Sequence, residues 1–161
     1  MKRFAIPVAF LVGTAIFCLW WYSPTQVLKR RTTSLLSTLT MGAGDGKANR
    51  HMGAYALNGL LAPQVELETP TIDEANGSFE REELESAFTW LCDQAKQTQF
   101  KMEELRGITI SGEQAQVKVL LTGVVELPTY RPADGKYAVT FDWVKGKDGW
   151  RLARAVWDKV P

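Results

Sequence analysis

From Phe4 to Tyr22 the chain runs nineteen residues, FAIPVAFLVGTAIFCLWWY, without a charged side chain. As an α-helix this stretch is about 28 Å long, close to the hydrocarbon thickness of a bilayer. Pro7 sits near its start, where a missing backbone donor costs least. Trp20, Trp21 and Tyr22 close it, as amphipathic aromatics do at a membrane–water boundary. Lys2 and Arg3 precede the run and favour a cytoplasmic N-terminus, whereas Lys29, Arg30 and Arg31 follow it and weaken that asymmetry. A cleaved signal wants small residues just after the apolar run, where Leu19–Trp20–Trp21–Tyr22 stands instead, and Gly13–Thr14–Ala15 would cut inside it. The pattern predicts a cytoplasmic tail over residues 1–3, a transmembrane signal-anchor helix over 4–22, and one domain over 23–161. That domain is expected outside the cytoplasm, tethered to the inner (cell) membrane by a single pass. A cleaved signal and a buried core helix are the competing readings.

The rest of the chain excludes several function classes. Beyond the tail it holds 17 basic and 18 acidic side chains, a balance that argues against nucleic acid as a partner. Its length suits one compact domain, and an apolar share of 45% is enough for a core. Two cysteines do not make a disulfide scaffold, and Cys18 in the span cannot pair with Cys92 in a predicted helix of the same chain. One histidine, His51, rules out a multi-histidine zinc site. No phosphate-binding loop, CxxC pair or nucleophile elbow is present, so no cofactor, metal or catalytic residue is expected.

Periodicity gives the element order. Ser23–Pro24 suits the start of a helix, and Leu28, Thr32, Leu35, Leu36 and Leu39 recur at helical spacing up to Gly42. A second helix fits Lys47 to Ala62, with Ala48, Met52, Ala56 and Leu60 on its apolar face and Pro63 closing it. Val65, Leu67 and Thr69 alternate as a short strand. Ser78 reads as the cap of a third helix, acidic in its first turn, with the stripe Leu84, Ala87, Phe88, Leu91 and Ala95. Strand alternation then takes over, from Phe100 to Ile110 with a bulge at Glu103–Glu104, and again from Ala115 to Val125. After a loop over Pro128–Gly135, Tyr137, Val139, Phe141 and Trp143 alternate; Lys147–Asp148–Gly149 turns the chain into Trp150, Leu152 and Val156. The layout is α+β: a curved antiparallel sheet of four to five strands packed on three helices, preceded by the transmembrane helix.

This order, together with the closing pattern Tyr137–Trp143 and Asp148–Gly149–Trp150–Arg151–Leu152, resembles the nuclear transport factor two-like superfamily, also called SnoaL-like or cystatin-like, over roughly Pro24 to Lys159. The resemblance implies a cone-shaped fold with a pocket at its wide end. Superfamily members include isomerases, dehydratases, cyclases, binding modules and assembly subunits. In topology the chain is also similar to the VirB-type inner-membrane subunit of type IV secretion, which joins a short tail and one span to a domain of this fold.

Few residues invite chemistry. His51, Tyr55 and Asn58 share one face of the second helix and would line the cone pocket, unless that face is simply solvated. Asp142 is a candidate partner carboxylate, as is Asp158; Asp142 points inward only if Phe141 and Trp143 point out. Trp90, Trp143, Trp150 and Trp157 would serve as core, as partner surface or as pocket lining, and Trp157 joins His51, Tyr55 and Asp142 in the candidate ligand-binding set. The reading is a non-enzymatic, membrane-anchored envelope module that binds a protein or a small hydrophobic partner, with a homodimer or an envelope protein as candidate associates. Its alternatives are a small SnoaL or ketosteroid-isomerase-type enzyme with an apolar pocket, and a structural subunit of a membrane assembly.

Overall fold

The computed structural model describes Thr14 and residues 17–70, 75–128 and 133–160. The predicted span lies outside the described residues except for Thr14 and Phe17–Tyr22, of which Phe17–Trp21 is helical. Among the described residues no helix is long and apolar enough to cross a membrane.

Among the described residues three helices and six strands follow: α1 Pro24–Leu39, α2 Lys47–Asn58, β1 Leu61–Glu68, β2 Gly77–Glu80, α3 Arg81–Gln94, β3 Gln97–Ser111, β4 Gln114–Glu126, β5 Ala133–Gly146 and β6 Gly149–Val160. The strands form one sheet in the order β2-β1-β6-β5-β4-β3. The sheet is mixed rather than antiparallel throughout, because β1 runs parallel to β6. It also has more strands than expected: Gly77–Glu80, read as the approach to a helix, pairs with Gln64–Leu67 as an edge strand.

The second helix ends short of the expected Ala62 because the chain is taken into the sheet. The chain leaves helix at Asn58, and Leu61–Ala62–Pro63 already belongs to β1. Pro63 falls between the β1–β6 pairs Leu61–Leu152 and Glu66–Arg154, where the register shifts, so its missing N–H breaks no ladder bond. The buried face of α2 is Ala54 and Leu57, while Met52 is exposed. The third helix is capped by Glu80 rather than Ser78. The backbone N–H of Glu80 donates to Glu83 Oε2 at 2.8 Å, one half of a capping box. Beside it, the backbone amide of Glu82 and the Arg81 guanidinium hold the Glu82 carboxyl below the usual carboxylate range.

One layer of helices covers one sheet face. Leu28, Leu35 and Leu36 of α1 meet Val117, Val119 and Leu121 of β4 and Val139, Phe141 and Trp143 of β5 in a single core. Bulges bend the sheet around it: β3 shifts register between Met102 and Glu104 and again between Leu105 and Gly107. A further shift, where Asp142 pairs with Arg154 but Trp143 pairs with Leu152, inserts Ala153 into β6 and reverses its alternation. Leu152, Ala155 and Trp157 therefore face inward, and Val156, expected there, faces away.

Candidate functional site

The helix layer does not cover the sheet completely. Between α1, α2, α3 and the sheet lies a hollow of about 280 Å³ whose lining side chains are all aliphatic or aromatic, among them Leu35, Leu61, Leu84, Ala87, Leu152 and Trp157. A second hollow of about 360 Å³ adjoins it, bordered by Phe100, Val125, Tyr137 and Trp157, with Thr69 at its margin. Leu67, Leu91 and Trp157 line both and so stand where the two meet. The stripe of α3 is wider than its contacts require: Phe88 and Cys92 are buried, whereas Leu84 and Leu91 are half-buried and Ala87 is exposed along the opening.

Trp157 is fixed by its neighbours. Its indole makes edge-on contacts with the rings of Phe100 at 5.9 Å, Tyr137 at 5.7 Å and Phe141 at 6.5 Å. Space for this cluster comes from the cross-strand pair Gly123–Gly135, which presents no side chain inward. A Cβ at Gly123 would stand 3.2 Å from Phe100 Cε1, and one at Gly135 would stand 3.2 Å from Tyr137 Oη. The two rings fill the room that the glycines leave.

Of the four residues singled out from sequence, Trp157 alone lines these hollows. His51 and Tyr55 lie on the solvent side of α2, Tyr55 with 79% of its surface exposed. His51 Nε2 stands 3.1 Å from Asp93 Oδ1 on α3. Asn58, on the same face, donates through Nδ2 to Glu85 Oε2. This face ties α2 to α3. Because Phe141 and Trp143 point into the core, Asp142 lies on the other side of the sheet, as does Asp158 on its exposed stretch. There Asp142 accepts from Gln116 Nε2 at 3.0 Å and sits 3.9 Å from Arg154 Nη1. Arg154 donates to Glu68 and pairs with Glu66 at 3.2 Å, and these carboxylates raise its already high pKa. Trp143 and Trp150 belong to the core, and Trp90 is exposed on α3.

The structure thus separates the titratable candidates from the apolar hollow. Residue-type reasoning missed the hollow because Leu84, Ala87 and Leu91 read as ordinary core; only the width of their stripe signalled surplus apolar surface. Arg50 was also missed. It reads as one more surface cation on α2 beside Lys47, yet it holds together the loop and helix ends beside α3.

No family model matches the chain, and no curated protein matches it in sequence. Solved structures do match. A nuclear transport factor 2 (NTF2-like) superfamily protein from Salmonella enterica superposes with a TM-score of 0.64 at 10% identity, covering 86% of this chain and 92% of that one. A protein with a cystatin-like fold from Caulobacter vibrioides gives 0.64 at 13% identity over 85% and 89%. A putative scytalone dehydratase from Novosphingobium aromaticivorans gives 0.61 at 14% identity over 85% and 84%. These superpositions show that the chain has the nuclear transport factor two-like, cystatin-like fold.

Proposed function

We propose that the protein is a membrane-tethered module that binds a small hydrophobic partner in the hollow beneath α3, without catalysing a reaction. The observation that carries this reading is the composition of the inner lining, which among the described residues offers no carboxylate, imidazole, thiol or amine to a bound molecule. The dehydratase named among the similar structures makes acid–base chemistry the obvious rival. Such chemistry needs a titratable group within hydrogen-bond reach of the reacting atoms. In this chain His51 is engaged by Asp93 outside the hollow, and Asp142 lies across the sheet.

The tether is the second half of the reading, and the uncharged run Phe4–Tyr22 supports it. Phe17, Trp20, Trp21 and Tyr22 are all exposed, as side chains facing lipid and head groups would be. Arg30 joins this aromatic group to α1: its guanidinium lies 4.4 Å from the Trp21 ring centroid and donates to the Trp21 carbonyl at 2.9 Å.

Two measurements test the proposal. The full chain should stay in the membrane fraction under alkaline carbonate, and its C-terminal domain should resist protease in spheroplast-free inverted vesicles. Recovery in the soluble fraction would remove the tether. In nanodiscs, a dodecanoate carrying a diazirine should label α3 and β6 saturably; labelling confined to the region before Tyr22 would remove the binding site.

A further inference from the structure

We infer that the partner is an unbranched alkyl chain with one polar end, and that Trp157 is the wall that sets how much of that chain the protein accepts. The inference rests on the binding reading given above and adds to it a ligand class and a specificity-determining residue.

The two hollows differ in polarity. Among the described residues that line the inner one every side chain is aliphatic or aromatic, and only the Trp157 indole N–H is polar, so a ligand amide or hydroxyl placed there loses most of its hydrogen bonds to water. The outer one brings Thr69 and Tyr137 to its lining, with the Tyr137 hydroxyl beside Gly135. A molecule that suits both is apolar along most of its length and polar at the end that rests in the outer hollow.

Shape narrows the class further. At about 280 Å³ and 360 Å³, each hollow alone is near the lower end of ligand-site volumes, which start at roughly 300 Å³. A ligand using both must pass Leu67, Leu91 and Trp157. A single methylene chain can thread such a constriction, whereas a fused ring system cannot. Of these three residues Trp157 is the largest, and three aromatic edges hold it in place, so it does not swing aside at little cost.

The test is competition against the diazirine dodecanoate label, with the full chain in nanodiscs and octanoate, dodecanoate and octadecanoate as competitors. Wild-type protein should favour the short or middle chain. Trp157→Ala, which widens the passage between the hollows, should shift the preference toward octadecanoate by about tenfold, the gain from burying about two further methylenes. Should the alanine variant fail to fold, Trp157→Leu keeps the wall apolar but lowers it, and the same shift is expected at smaller size. Saturable labelling with an unchanged length preference in the folded variant would overturn the role of Trp157 while leaving the binding site standing. Labelling that no alkanoate displaces from wild-type protein would overturn the ligand class and the binding reading together.

Discussion

Arg50 Nη1 donates to the carbonyl oxygen of Ala95 at 2.6 Å and ties the start of α2 to the end of α3. The same guanidinium reaches the carbonyls of Gly42 at 2.8 Å, Lys96 at 3.0 Å and Cys92 at 3.3 Å, while Nε reaches that of Asp45 at 3.1 Å. The last carbonyls of a helix have no partner within it. One planar cation with five donors meets this need where a lysine cannot. Arg50→Ala should lower the unfolding free energy by about 2–3 kcal/mol, the range for losing charge-assisted hydrogen bonds. Arg50→Lys should recover only part of the loss. Thermal unfolding followed by circular dichroism checks both, and an alanine variant as stable as wild type would show that the carbonyls are equally well satisfied by water.

Cys92 sits directly behind this arginine, 2% exposed, with its Sγ–H donating to the Arg50 carbonyl. Burial pushes its thiol pKa up, since the charged thiolate is disfavoured away from water. In the folded state the thiol keeps its proton to higher pH than in the unfolded chain. The stabilisation is therefore complete below the usual thiol range and is lost as pH rises through the raised pKa. Unfolding midpoints of wild type should fall over that alkaline window more steeply than those of Cys92→Ala. A thiol reagent added to a Cys18→Ser variant should react with Cys92 only at the rate of unfolding.

Ala87 stands at the lip of the inner hollow. Ala87→Leu should place methyl groups in unfilled apolar space and stabilise the domain by about 0.5–1 kcal/mol, as cavity-filling changes commonly do. The same change should abolish saturable labelling by the alkyl probe. A stabilised variant that still takes the probe would put the binding site elsewhere.

The cap on α3 gives a local check. Glu83 Oε2 accepts from the Glu80 backbone N–H. Glu83→Ala should cost about 1 kcal/mol in stability, read from urea unfolding, whereas Ser78→Ala should cost little because Ser78 lies on edge strand β2.

Much of the architecture was legible in the residue pattern, for physical reasons that also show where legibility ends. Leu28, Thr32, Leu35 and Leu36 are all buried because α1 lies flat on the sheet, the condition under which a period near 3.6 is clean. Val117, Val119, Leu121 and Tyr137, Val139, Phe141, Trp143 are buried in strict alternation because β4 and β5 are central strands covered on one face. In α2 small residues occupy both sides, so Ala48, Met52 and Ala56 were as plausible a core face as Ala54 and Leu57. In β6 one inserted residue, Ala153, reverses the pleat, and no residue type announces it. The site was harder still. A hollow is the absence of a covering residue, and the pattern of Leu84, Ala87 and Leu91 is the same whether something covers it or not.

The central claim is that the space between α3 and the sheet takes up an alkyl chain. Its most direct test is methyl-resolved NMR of the full chain in nanodiscs during addition of dodecanoate. Saturable shifts are predicted for the methyls of Leu61, Leu84, Leu91 and Leu152, which line the inner hollow, with none for Leu120, which alternates with buried Val119 and Leu121 onto the opposite sheet face. Unmoved methyls at those four positions, or shifts at Leu120 of equal size, would contradict it.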